Sequence, residues 1–154
     1  MIGAGQIREI IPHRYPILLI DRVDEVVPGQ RLVARKAITV AESAYRDRAD
    51  DAYPLSLLLE SWAQAAVLLA CWDTPNPDVV TGKVELATGI RGVRIGVSAV
   101  PGDVLVHEVV IVRALDDAMI VSGTTTVNGE SALVVEQFSV ALRDLSVLTA
   151  GQPS

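Results

Sequence analysis

The chain has 154 residues, half of them apolar and about a fifth charged, with a net charge of −6. That length suits one hydrophobic core, and the composition excludes a disordered or fibrous chain. The negative charge, with no cluster of Lys and Arg, excludes a general nucleic-acid binder.

In chain order, a short helix is expected over residues 5–11, stopped by Pro12. A strand over 17–27, a turn at VPGQ (27–30) and a returning strand over 31–40 follow. Residues 41–53 are polar and irregular. The long apolar run 54–72 then reads as a helix, with Pro54 as its first residue, where a missing N–H costs nothing. Asp50 and Asp51 precede it, at the positive end of its dipole. The remainder is β: Val-, Ile- and Thr-rich runs over 84–97, 103–115, 118–127 and 131–143. VPGD (100–103), LDD (115–117) and Asn128-Gly129 separate them, the last a two-residue hairpin signal. The pattern predicts an α+β fold, a single domain over residues 1–154 in which an antiparallel sheet packs on one helix. Ala63, Ala66 and Ala70 give that helix a face of small side chains. Strands such as DVLVHEVVIV (103–112) are apolar on both faces, which predicts a dimer covering what one chain leaves exposed.

The N-terminus lacks a basic stretch followed by an apolar core, so no secretory signal is expected. The single cysteine, Cys71, cannot form an internal disulfide, and both features fit a reducing cytosol. The run YPLSLLLESWAQAAVLLACW (53–72) approaches membrane-spanning length, but Glu60 and Gln64 near its centre would be expensive in hydrocarbon. A buried helix of a soluble protein is the expectation.

Glu60 and Gln64 are four apart and share a helix face. A carboxyl in apolar surroundings tends to hold its proton, which makes Glu60 a candidate general acid. From the residues alone, both side chains could instead cap backbone groups or sit at an exposed edge.

IPHRYPILLIDRV (11–23), YPLSLLLESWAQA (53–65) and ATGIRGVRIGVSAVPGD (87–103) resemble the FabZ-type 3-hydroxyacyl-acyl-carrier-protein dehydratases over nearly the whole chain. The resemblance implies a hot-dog fold, an antiparallel sheet wrapped round a central helix. It implies action on carrier-bound 3-hydroxyacyl thioesters in fatty-acid or polyketide assembly, with no cofactor or metal. In that family a histidine in a Gly-His-Phe-Pro-Gly loop takes the C2 proton while an acid on the helix helps the C3 hydroxyl leave. The two come from different subunits across a dimer interface. Glu60 matches the acid and Gln64 the amide that follows it.

The loop departs from the family. Here it reads SAYRDRADDAYP (43–54), with no histidine, glycine or phenylalanine; Tyr45, Arg46 and Asp47 are the nearest counterparts. Leu55 replaces the glycine whose N–H helps polarise the thioester carbonyl. His13 belongs to the HRYP motif, which the resemblance makes structural. His107 alternates with Leu105 and Val109 and reads as a sheet histidine with its hydrogen bonds made. Arg46 and Arg48 cannot act as bases at ordinary pH, and Asp47, Asp50 and Asp51 lie in a polar loop. Cys71 reads as a core thiol.

Three readings follow. One is a degenerate dehydratase subunit giving Glu60 to a composite site with a histidine-bearing partner. The second is a thioesterase using Glu60, and the third an acyl-binding or scaffold protein. An acidic carrier protein calls for a basic rim, for which Arg91 and Arg94 are the candidates.

Overall fold

The first hairpin turns at Val27-Pro28-Gly29-Gln30, where Gly29 has φ 70° and the Gln30 N–H reaches the Val27 carbonyl at 3.0 Å. Only a residue tolerant of positive φ fits the third position of such a turn, with proline suiting the second. The hairpin strands are β2 (Arg22–Val27) and β3 (Arg31–Ala37), preceded by a two-residue β1 (Ile2–Gly3) and α1 (Ala4–Ile10). The computed structural model describes residues 1–46, 50–80, 83–116 and 118–144; Asp47, Arg48 and Asp117 lie outside these.

Both hairpin strands are shorter than the sequence suggests. Residues 17–21 are not in a strand: the Ile17 and Leu18 N–H groups turn back to the Arg14 carbonyl, the Gln64 side chain takes the Ile17 carbonyl and the Leu19 N–H, and the chain reaches β3 with the Asp21 N–H bonded to the Arg35 carbonyl. After Ala37 the chain leaves β3's ladder: Ile38 exchanges backbone bonds with Asp103 and Gly102, and Glu42 caps the Thr39 N–H. Along β3, Leu32, Ala34 and Lys36 are buried at every second position, the period of a strand with one face on the core. A buried lysine needs partners. Lys36 Nζ lies 3.1 Å from Glu42 Oε1 and 5.6 Å from the centre of the Tyr53 ring.

The long helix α2 spans Leu55–Ala70. Pro54 is its N-cap rather than its first helical residue: ψ is 130°, and its carbonyl accepts from Leu57 and Leu58. Leu58, Trp62, Ala65, Ala66 and Leu69 recur three and four apart and are buried. This face packs against β3, against β5 (Val104–Ala114) and β6 (Ala118–Val127), and against β7 (Glu130–Asp144). Trp62 is fully buried; its Nε1–H donates to the Glu108 carbonyl at 3.2 Å and its ring meets Phe138 edge-on at 5.7 Å. Gly123 lets the sheet close on it, since a Cβ there would sit 2.0 Å from the Glu108 oxygen and 3.1 Å from Trp62 Nε1.

The strands form one antiparallel sheet in the order β1-β2-β3-β5-β6-β7-β4, with β4 at Lys83–Ile95. The β6–β7 hairpin turns on Asn128 and Gly129, both at positive φ, with Val127 opposite Glu130. That is the turn the dipeptide predicts. The four later strands fall within a few residues of their expected ranges. One edge of the sheet is the two-residue β1. The other is the thirteen-residue β4, with Ile90, Val93 and Ile95 exposed. Among the described residues no helix is long and apolar enough to cross a membrane.

Candidate active site

Glu60 lies in the second turn of α2, and Gln64 follows one turn later on the same face. Gln64 is buried and fully engaged. Its Oε1 accepts the Leu19 N–H at 2.9 Å, and its Nε2 donates to the Ile17 carbonyl and to Glu60 Oε1, each at 2.7 Å. One amide therefore fixes the HRYP loop and orients the carboxylate. The Glu60 side chain is 37% exposed, so it is not enclosed in apolar surroundings as the sequence suggests: α2 turns this face toward an opening rather than the core.

His13 stands across that opening, with Nε2 3.7 Å from Glu60 Oε1 and Nδ1 buried without a hydrogen-bond partner among the described residues. Both residues line a cavity of about 530 Å³. Its apolar wall includes Ile17, Ala63, Val67, Phe138 and Val140, and Glu85 of β4 also lines it. Of the alanine face, Ala66 is fully buried, whereas Ala63 borders this cavity and Ala70 a second one of about 510 Å³. Small side chains on α2 thus leave room as well as admit the sheet.

The remaining candidates lie apart from this cavity. Leu55 is the exposed first residue of α2 and does not line it; among the described residues no side chain caps that helix terminus. Arg91 is exposed on β4, and Arg94 is ion-paired with Glu136 across the β4–β7 ladder. In the polar loop, Ser43–Tyr45 form a single 3₁₀ turn.

His107 is fully buried on the core face of β5, as its alternation predicts, but only half satisfied. Nδ1 pairs with Thr125 Oγ1 at 2.8 Å, and Nε2 has no partner among the described residues. Burial, aided by the Lys36 charge, pushes its pKa down to about 3. Cys71, at the C-cap of α2, has its thiol pushed up to about 12 by burial and then by Glu85. It is an inert core thiol, as expected.

Sequence reading missed two contributors. Glu85 and Ala87, two apart on β4, share a strand face and both line the cavity, although β4 itself is only partly covered. Phe138, the chain's one phenylalanine, carries no local cue that it reaches α2.

The wrapped helix and antiparallel sheet define a hot-dog protein. A FabA-like domain model matches residues 11–136. The 3-hydroxyacyl-[acyl-carrier-protein] dehydratase FabZ of Clostridium acetobutylicum is 38% identical over 137 residues, covering 88% of this chain and 94% of that one. The FabZ of Enterococcus faecalis is 35% identical, covering 85% and 92%. The chain belongs to this dehydratase family. Among solved structures, it superposes on the dehydratase heterocomplex ApeI:P from Xenorhabdus doucetiae with a TM-score of 0.79 at 15% identity, covering 95% of this chain and 97% of that one. A hypothetical thioesterase from Streptococcus pneumoniae gives 0.60 at 10% identity, covering 80% and 85%.

Proposed function

We propose that this chain is one half of a dehydratase for 3-hydroxyacyl thioesters on an acyl carrier protein, giving Glu60 to a site whose base comes from a second, histidine-bearing hot-dog subunit. The observation that carries this reading is the carboxylate pinned by Gln64 on the wall of an acyl-sized cavity. The chain's own loop 43–53 holds no histidine to pair with it.

In this reading the partner's imidazole removes a C2 proton, the C2=C3 double bond forms, and Glu60 gives its proton to the departing C3 hydroxyl, which leaves as water. The uncapped N-terminus of α2 offers backbone N–H groups, that of Leu55 first, to the thioester carbonyl. The bare edge of β4 supports pairing with a second sheet: a long edge strand with exposed apolar residues is a template for another strand. Glu85 and Ala87 of β4 line the cavity, so a partner added there would lie beside it. Arg91 and Arg94 of β4 would meet the acidic carrier protein. The likeness to a dehydratase heterocomplex supports two unlike subunits.

One observation favours a second reading, a self-sufficient enzyme. His13 faces Glu60 within the same chain and would then be the base. Dehydration of a 3-hydroxyacyl carrier substrate, assayed with and without a histidine-bearing hot-dog partner, separates the two. Activity only in the mixture supports the composite site; full activity of the single protein, lost in His13→Gln, supports the second.

A further inference from the structure

Dehydration uses one end of the cavity and leaves a second carboxylate at the other. Glu60, Ala63 and Val67 follow one another along α2 on the cavity wall. Cys71 comes one turn later, about 16 Å along the helix axis from Glu60 at 1.5 Å per residue. Cys71 Sγ lies 3.9 Å from Glu85 Oε1. The acid of β4 therefore stands at the end of the cavity remote from the reacting one, with Val67, Phe138 and Val140 among the residues lining the space they share.

Glu85 is held in place without being neutralised. Asn76 Nδ2 donates to Oε1, and the Cys71 thiol, a weak donor, faces the same oxygen. Among the described residues it makes no ion pair. Nor is it needed to fasten the loop before β4. Asn76 does that through its side-chain bonds to the Lys83 N–H and carbonyl and its own N–H to the Ile10 carbonyl. A carboxylate has about four acceptor positions, and the contacts described use one oxygen. The rest remain for whatever enters the cavity.

An alkyl chain reaching this end would strip water from those acceptors and return nothing. A chain ending in a hydroxyl would replace the water with a charge-assisted hydrogen bond. Resting on the proposed reaction at Glu60, we infer that Glu85 sets the acyl specificity of this site: the preferred substrate carries a hydrogen-bond donor, an alcohol or phenol hydroxyl, at the far end of its acyl chain.

The test compares two 3-hydroxyacyl carrier thioesters of equal length, one tipped with a hydroxyl and one with a methyl, on the complex with its partner. Wild type should favour the hydroxyl in kcat/KM by at least about tenfold, since a site built for a donor rejects the analogue lacking it. Glu85→Gln, which can still accept a hydrogen bond, should keep the preference, and Glu85→Leu should reverse it. Equal or methyl-favouring wild-type rates overturn the inference whether or not Glu85→Leu folds. Failure of the Glu60 reading looks different: Glu60→Gln would then leave both substrates turning over. Should the complex show no turnover, calorimetric binding of the two matching acyl-pantetheine analogues decides by the same preference.

Discussion

Gln64 donates to Glu60 Oε1 at 2.7 Å while its own Oε1 holds the Leu19 N–H, so one buried amide ties the candidate acid to the HRYP loop. Replacing it with leucine removes both. Gln64→Leu leaves the Leu19 N–H and the Ile17 carbonyl without their partner, at a cost of about 1–3 kcal/mol for each buried group that water cannot reach. Urea unfolding should show a lower midpoint, and the mixed complex should lose activity even where the fold survives.

His107 predicts a dependence of stability on pH. Its folded pKa is pushed down to about 3 from 6.5, so between these values the unfolded chain binds a proton that the folded chain refuses. Stability therefore falls as pH drops below about 6.5 and continues to fall toward 3, with a slope approaching about 1.4 kcal/mol per pH unit from this group. His107→Leu removes the group, and unfolding free energies measured across this window should flatten by that slope. Thr125 loses its partner in the variant, which lowers stability near neutrality as well.

Gly123→Ala should destabilise the fold by about 1–3 kcal/mol, the ordinary cost of overpacking a core. The added Cβ would strike the Glu108 carbonyl, the acceptor of the Trp62 N–H, and neither backbone strand can retreat without opening the sheet around the helix. Thermal unfolding should show a lowered Tm, with a larger loss than for Gly5→Ala, where an added Cβ meets nothing within 4 Å.

Val93→Lys together with Ile95→Lys places charge on the exposed edge strand β4. Charged side chains are a common device against edge pairing. Sedimentation should show the assembly dissociating to monomers while circular dichroism stays unchanged; a variant that still associates places the interface elsewhere.

Elements fixed by local chemistry were legible in the sequence. Asn128-Gly129 demands a tight hairpin, Pro28-Gly29 a turn, and the later β runs are rich in Val, Ile and Thr. Errors came where a distant side chain replaced local pairing. Residues 17–21 have strand composition, yet Gln64 takes the Ile17 carbonyl and the Leu19 N–H, the latter across 45 positions. The site divides in the same way. Glu60 and Gln64 stand out because polar groups interrupt an apolar helix. Glu85 and His13 reach the cavity only through the sheet order and the HRYP loop, and composition alone does not reveal either.

In the proposed function Glu60 serves a site completed by another subunit. The most direct measurement is the dehydration rate of a 3-hydroxyacyl carrier substrate by the mixed complex, wild type against Glu60→Gln. Background activity is expected for the single protein, turnover in the mixture, and a loss of about 10²–10⁴-fold in the variant, the usual worth of a general acid. A Glu60→Gln complex as active as wild type would contradict that function.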